Sequence, residues 1–219
     1  MTPSVRLPSA VETAAGRVSV LFDGPRDAPT LLVLAHGAGA GMTSDFMNAA
    51  ATQIGGRGIL VARFNFVYAE LGKKAPDRQP ILEETYREVV TSLHQVRGEG
   101  RTVIGGKSLG GRIASHVAPD LPVEAVVLFG YPLHPPGRPD RIRDAHLSRV
   151  VVPMLFVEGT RDPFCPLETL ADVRSRLPGP TDLIVVDDGD HSFKVRKSSG
   201  RSTEQAWNEA FDGAAAWLA

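Results

Sequence analysis

The sequence predicts an α/β fold: a mostly parallel central sheet with helices on both faces. Short apolar runs recur along the chain, and helical patterns separate them. Most of these runs lack polar alternation, as strands covered on both faces do. No repeat, low-complexity tract or long linker interrupts the series, so residues 1–219 are expected to form one domain.

The elements follow in chain order. RVSVLF (17–22) and TLLVLAHG (30–37) read as strands, the second nearly all apolar. SDFMNAAATQIGGRG reads as a helix ending in glycines, with Ser44 placed to cap its start. ILVARFNF (59–66) is another buried strand. YAELGKKAPDRQP holds two prolines and scattered charges and predicts a loop. ILEETYREVVTSLHQVR sets Leu82, Tyr86, Val89, Leu93 and Val96 on one face at spacings of three and four. It is the clearest helix of the chain. RTVIGG (101–106) is a strand, and GRIASHVA a helix starting directly after the glycines. VEAVVLFG (123–130), VPMLFVEG (152–159) and DLIVVDD (182–188) are three further strands. Helical segments fall around 142–149 and 166–177, and a last helix spans 202–218. The proline-rich YPLHPPGRPDR (131–141) reads as a surface loop beyond a strand end, where α/β proteins place their sites.

Composition narrows the classes of function. Hydrophobic residues make up 42% of the 219 and charged residues 22%, ordinary for a soluble globular protein. A formal net charge of −1 provides no basic field for nucleic acid. The lone cysteine, Cys165, excludes an internal disulfide framework and a multi-cysteine metal cluster, and reads as a buried apolar residue. No apolar run approaches the ~20 residues of a membrane span. MTPSVRLPSAVETAAGR lacks the charged start and apolar core of a secretory signal. The expectation is a cytoplasmic enzyme or binding domain, a monomer or small homo-oligomer, with neither nucleic acid nor membrane as partner.

The stretch RTVIGGKSLGGR (101–112) admits two readings. A phosphate-binding loop needs G-x-x-x-x-G-K-[ST], but the first glycine position is occupied by Arg101, and the strand leaves no residues to wrap a phosphate. A nucleophile elbow needs a strand, a sharp turn with serine at its apex, a helix, and glycines two before and two after. Gly106-Lys107-Ser108-Leu109-Gly110 meets each requirement. The turn sets Ser108 at a helix N-terminus, where the dipole favours developing negative charge.

A serine nucleophile needs a base and an acid, here expected in the order Ser, acid, His. Among six histidines, His94 and His116 lie inside helices, His134 and His146 belong to the loop region after the elbow helix and before Asp162 in chain order, and His36 reads as a structural loop residue. His191 follows a strand, in a loop with Gly189. Asp162 lies just beyond the end of a strand and is preferred as the acid. Asp187, Asp188 and Asp190 compete, but an acid one residue from His191 points away from it. The tetrahedral oxyanion needs two N–H donors: Leu109, directly after the nucleophile, and Ala38 in the glycine-rich LAHGAGAGM, with Gly39 as its alternative. Gly37, Gly39, Tyr131, Phe164 and Phe193 are candidates to line the substrate pocket. Arg63, Lys107, Arg112, Arg161, Lys194 and Arg201 lie in or near site segments; they read either as an attraction for anionic substrates or as solvated loop cations.

With LAHGAGAGM, RFNFVY, GGKSLGGR, FGYPLHPPG, GTRDPF and DHSF in place, the chain resembles the α/β-hydrolase superfamily over essentially its whole length. Within it the chain is similar to dienelactone-hydrolase-like proteins, and more narrowly to small hydrolases related to the hydrolase-like domain of the non-specific-lethal chromatin complex. The resemblance implies an eight-stranded-type sheet and carries a triad onto Ser108, Asp162 and His191. Dienelactone hydrolases proper use cysteine where this chain has Ser108, so their lactone substrate does not carry over. The expected activity is hydrolysis of small ester or related acyl substrates through an acyl-enzyme, without a cofactor or metal. The alternatives are a binding or scaffold protein that retains the fold, and acyl transfer to an acceptor other than water. Strands and helices use nearly all 219 residues, so no lid domain is expected between Gly130 and Pro153. The expected site is open and shallow, covered only by VYAELGKKAPDRQP and YPLHPPGRPDR.

Overall fold

The computed structural model describes residues 7–219. The first six residues of the stretch weighed above as a signal lie outside the described residues. Eight strands form one sheet in the order β1-β2-β4-β3-β5-β6-β7-β8. They are β1 (Ala10–Thr13), β2 (Gly16–Asp23), β3 (Thr30–Ala35), β4 (Leu60–Phe64), β5 (Arg101–Lys107), β6 (Ala125–Phe129), β7 (Met154–Gly159) and β8 (Thr181–Val186). From β4 to β8 every pairing is parallel, while β1 and β2 add antiparallel strands at one edge.

The continuous apolar strands owe their pattern to helices on both sides. In β3, Leu31, Val33 and Ala35 face one core, and Leu32 and Leu34 face the other. The first core is completed by α2 (Val67–Glu70), α3 (Gln79–Arg97), α4 (Leu109–Val117) and α5 (Leu167–Arg174). The second is completed by α1 (Asp45–Gly55) and α6 (Thr203–Leu218). A strand with period-two side chains and cover on both faces must be apolar at every position.

Several local expectations are corrected. The stretch 68–80 is not all loop: Tyr68 belongs to the short α2, and α3 begins at Gln79, with Pro80 in its first turn, where the missing N–H costs nothing. Val96 is 40% exposed, so the buried stripe of α3 ends at Leu93. Ser44 occupies the N-cap position of α1, yet its side chain makes no capping bond. The helical segment expected around 142–149 is a 3-10 turn over Ala145–Arg149, and α5 stops at Arg174 rather than 177. The edge strand β1, only four residues long, carried too short a pattern to read.

No helix interrupts 131–153 beyond that single 3-10 turn, so the strand ends are uncovered by a lid domain. Because β3 leads outward to β4 on one side and β5 lies on its other side, the order reverses between β3 and β5. Loops leaving the carboxyl ends of adjacent parallel strands open a crevice there. The loops after β3, β5, β7 and β8 carry Ala38, Ser108, Asp162 and His191, so the topology gathers them at this end of the sheet.

Candidate active site

Ser108 sits between β5 and α4 with φ 52° and ψ −112°. Positive φ is unfavourable for a residue with a side chain and costs about 1–3 kcal/mol, so surrounding contacts must hold it. Its N–H donates to Phe129 O at 2.9 Å and its carbonyl accepts from Arg112 N–H at 3.0 Å. The flanking glycines are steric requirements. A Cβ on Gly106 would lie 2.7 Å from the Gly110 carbonyl carbon, and one on Gly110 would lie 2.8 Å from His36 O. Strand and helix can approach this closely only where side chains are absent.

The Ser108 hydroxyl meets His191 Nε2 at 2.9 Å, and His191 Nδ1 meets Asp162 Oδ2 at 2.6 Å. The Asp162 side chain is buried, and its other oxygen accepts Phe164 N–H at 2.8 Å. A carboxylate on Nδ1 fixes the tautomer with the proton there, leaving Nε2 to accept from the serine. The competing carboxylates are engaged elsewhere. Asp188 pairs with Arg161 and Arg196, the latter holding its carboxyl below the usual range. Asp190 accepts the N–H groups of Ser192 and Lys194 at 2.8 and 2.9 Å, shaping the loop that carries His191. Asp187 is exposed.

Ala38 and Leu109 flank Ser108 on the cavity wall, and their N–H groups have no hydrogen-bond partner among the described residues. His36 is buried between Gly37 O, which it contacts through Nδ1 at 2.9 Å, and Phe66 N–H, which donates to Nε2 at 3.2 Å. Burial lowers its pKa, so it stays neutral and holds the loop in place.

A cavity of about 580 Å³ opens over Ser108 and His191. This lies within the usual range for small-molecule sites. Gly37 and Phe164 line it. Tyr131 and Phe193, expected in the pocket, are fully buried beneath it, and Gly39 is also absent from its wall. Of the two expected covers, YPLHPPGRPDR contributes Pro132, His134 and Pro136, whereas none of VYAELGKKAPDRQP reaches the cavity. Sequence reading missed Phe46, Met47, Arg143 and Ser192. Phe46 had a signal, standing in the first turn of the helix that follows the glycine-rich loop. Arg143, in a proline-rich stretch without periodicity, had none.

The basic residues separate clearly. Arg63 is bound to Asp23 at 2.8 Å and to Met42 O, and Arg161 and Arg201 are tied to Asp188 and Glu209; none of them lines the cavity, nor does Lys194. Lys107 and Arg112 do. The Lys107 ammonium donates to the His191 carbonyl and lies over the rings of Phe46 and Phe193, 5.8 and 5.2 Å from their centroids. Burial lowers its pKa to about 8, against the opposing pull of Glu158, Asp162 and Asp190. Glu158, wholly buried on β7, accepts Tyr131 N–H at 2.5 Å, while its second oxygen has no partner among the described residues. Burial first, and the Asp162 charge second, push its carboxyl well above the ordinary range. Cys165 is buried as expected, and burial raises its thiol pKa.

A family model described as an alpha/beta hydrolase domain matches residues 28–219. An alpha-beta serine hydrolase homologue from Coxiella burnetii superposes with a TM-score of 0.77 at 18% identity, covering 96% of each chain. A serine hydrolase without lid from Xanthomonas campestris gives 0.77 at 18% identity over 99% of this chain and 97% of that one. Dienelactone hydrolase from Anabaena variabilis gives 0.76 at 19% identity over 95% and 94%. At these identities the structural likeness speaks for the fold.

Proposed function

Because the chain belongs to the alpha/beta hydrolase family and shares its fold with dienelactone hydrolase, we propose that it is a serine hydrolase cleaving small ester or related acyl substrates. One observation carries the reading: the continuous relay from Ser108 Oγ through His191 to Asp162, opening onto the cavity.

In this reading His191 Nε2 takes the Ser108 proton as Oγ attacks the ester carbonyl carbon. Asp162 holds the imidazole and stabilises its cationic form. The tetrahedral oxygen, now negative, lies between the Ala38 and Leu109 N–H groups, which need no reorganisation because no other described group occupies them. The imidazolium returns its proton to the departing alkoxide, leaving an acyl-Ser108. Water then attacks, His191 again accepts a proton, and the acid leaves with Ser108 restored. Among the described residues no lid domain stands over the cavity, which suits short acyl groups.

The test is reaction with a fluorophosphonate probe followed by intact mass, with wild type beside Ser108→Ala and His191→Ala. The expected result is one adduct on Ser108, absent in Ser108→Ala and slowed at least ~100-fold in His191→Ala. No adduct on the folded wild type would overturn the reading and leave a scaffold that keeps the fold.

A further inference from the structure

Among the described residues, no Asp or Glu side chain lines the cavity over Ser108, yet three cations do: Lys107, Arg112 and Arg143. Lys107 is already committed to the His191 carbonyl and two aromatic rings. The two arginines are not neutralised in this way.

Arg112 lies one turn beyond Ser108 on α4, with both terminal nitrogens on Gln79 Oε1 at 3.2 Å and one of them 3.3 Å from His116 Nε2. These are neutral partners. His116 and His146 stack behind it, ring centroids 3.5 Å apart, and burial holds their pKa values down to about 4 and about 3. The nearby carboxylate, Glu83, contacts Arg87 and His116 instead. Arg143 has its backbone fixed from both sides: its N–H donates to Leu133 O at 2.7 Å and its carbonyl accepts from Tyr131 O–H at 3.1 Å. Its guanidinium makes no hydrogen bond or ion pair among the described residues, and the neighbouring Asp144 is taken by Arg176 at 3.1 Å. Two positive, half-buried groups therefore share one wall without a counter-charge and repel each other. Such an arrangement costs free energy unless an anion relieves it. A planar guanidinium with its donors held in a fork suits a carboxylate or comparable oxyanion.

We propose that Arg112 and Arg143 form an anion-recognition subsite beside Ser108, so that the substrate is an ester carrying a second, anionic group. The inference rests on the hydrolase reading and adds to it the substrate class. The lining residues suit such a substrate. α4 and the loop after β6 supply the two arginines for the charge, and Phe46 and Met47 of α1 supply apolar wall for the rest.

The test compares kcat/KM for matched esters. Mono-4-nitrophenyl glutarate against 4-nitrophenyl butyrate places the charge on the acyl side. 4-Acetoxybenzoate against 4-acetoxybenzamide places it on the alcohol side. In wild type the anionic member of at least one pair is expected to be favoured on the order of 10- to 150-fold, the worth of one charged hydrogen-bonded contact. Arg143→Gln should collapse that ratio toward one, while Arg143→Lys keeps part of it because the charge remains without the fork. Arg112→Gln should lower it as well; since that change also touches Gln79 and His116, Arg143 is the deciding position. Equal or inverse preference in wild type for both pairs overturns the subsite, as does an unchanged ratio in Arg143→Gln.

Fluorophosphonate labelling of the same proteins reports separately on the Ser108 relay, so loss of the hydrolase reading is distinguishable. If no ester turns over, calorimetry with monomethyl glutarate decides. Saturable binding lost in Arg143→Gln supports the subsite, and no binding by wild type overturns it.

Discussion

Ser108 is held in a backbone conformation that its side chain disfavours, and the flanking glycines are what allow strand and helix to hold it there. Gly110→Ala should therefore destabilise the fold by ~2 kcal/mol or more, because the new methyl meets backbone rather than a yielding side chain. The urea midpoint checks this; a loss under ~0.5 kcal/mol would mean that the elbow tolerates more space than its geometry gives. Buried Glu158 gives a second prediction at the same scale. Its folded-state pKa lies above the ordinary value of 4.5, so the folded protein holds the proton more tightly than the unfolded chain. Stability from this group is full below that pH and is lost as pH rises through the folded value. Glu158→Gln keeps an acceptor for Tyr131 N–H but does not titrate. The variant should match wild type near pH 4 and outlast it increasingly toward pH 8. The gap should widen by up to ~1.4 kcal/mol for each pH unit between the unfolded and folded titrations. Equal urea midpoints across that range would argue that the carboxyl is not destabilised by burial.

Among the elements, α3 shows how a helix read from periodicity can hold the sheet in a way that periodicity cannot reveal. Tyr86 was legible as a member of its apolar stripe. In the fold its hydroxyl reaches the sheet, contacting Val33 O and Gly105 O at 2.9 and 2.6 Å and accepting Gly105 N–H at 3.0 Å. Tyr86→Phe would remove these buried hydrogen bonds between helix and sheet, at a cost of about 0.5–1.5 kcal/mol. Thermal unfolding measures it, and an unchanged Tm would mean that water replaces the hydroxyl. The loops behave differently. The turn after β5 was readable because glycine spacing and the flanking strand and helix are local properties. The loop after β6 was readable only as a loop, because nothing in YPLHPPGRPDR or the residues after it says which side chain turns inward.

For the whole molecule, the face covered by α1 and α6 is tied to the site through aromatic packing. Phe211 meets Phe46 at 5.1 Å and Phe129 at 5.9 Å between ring centroids, and Phe46 in turn stacks on Phe193 at 5.8 Å and lines the cavity. Phe211→Ala should cost about 3–5 kcal/mol, read from the denaturant midpoint. It should also raise KM for esters through Phe46; a stability loss with unchanged KM would uncouple this core from the cavity. The parallel sheet, the elbow at Ser108, and the order in which Ser108, Asp162 and His191 follow one another were all legible in the sequence alone. Each is written in neighbouring residues: the apolar runs, the glycines two before and two after, the strand that precedes each loop. The tertiary structure alone decided that Tyr131 and Phe193 lie beneath the cavity and that Arg143 faces it. Those choices depend on contacts between residues far apart in the chain, which local spacing does not encode.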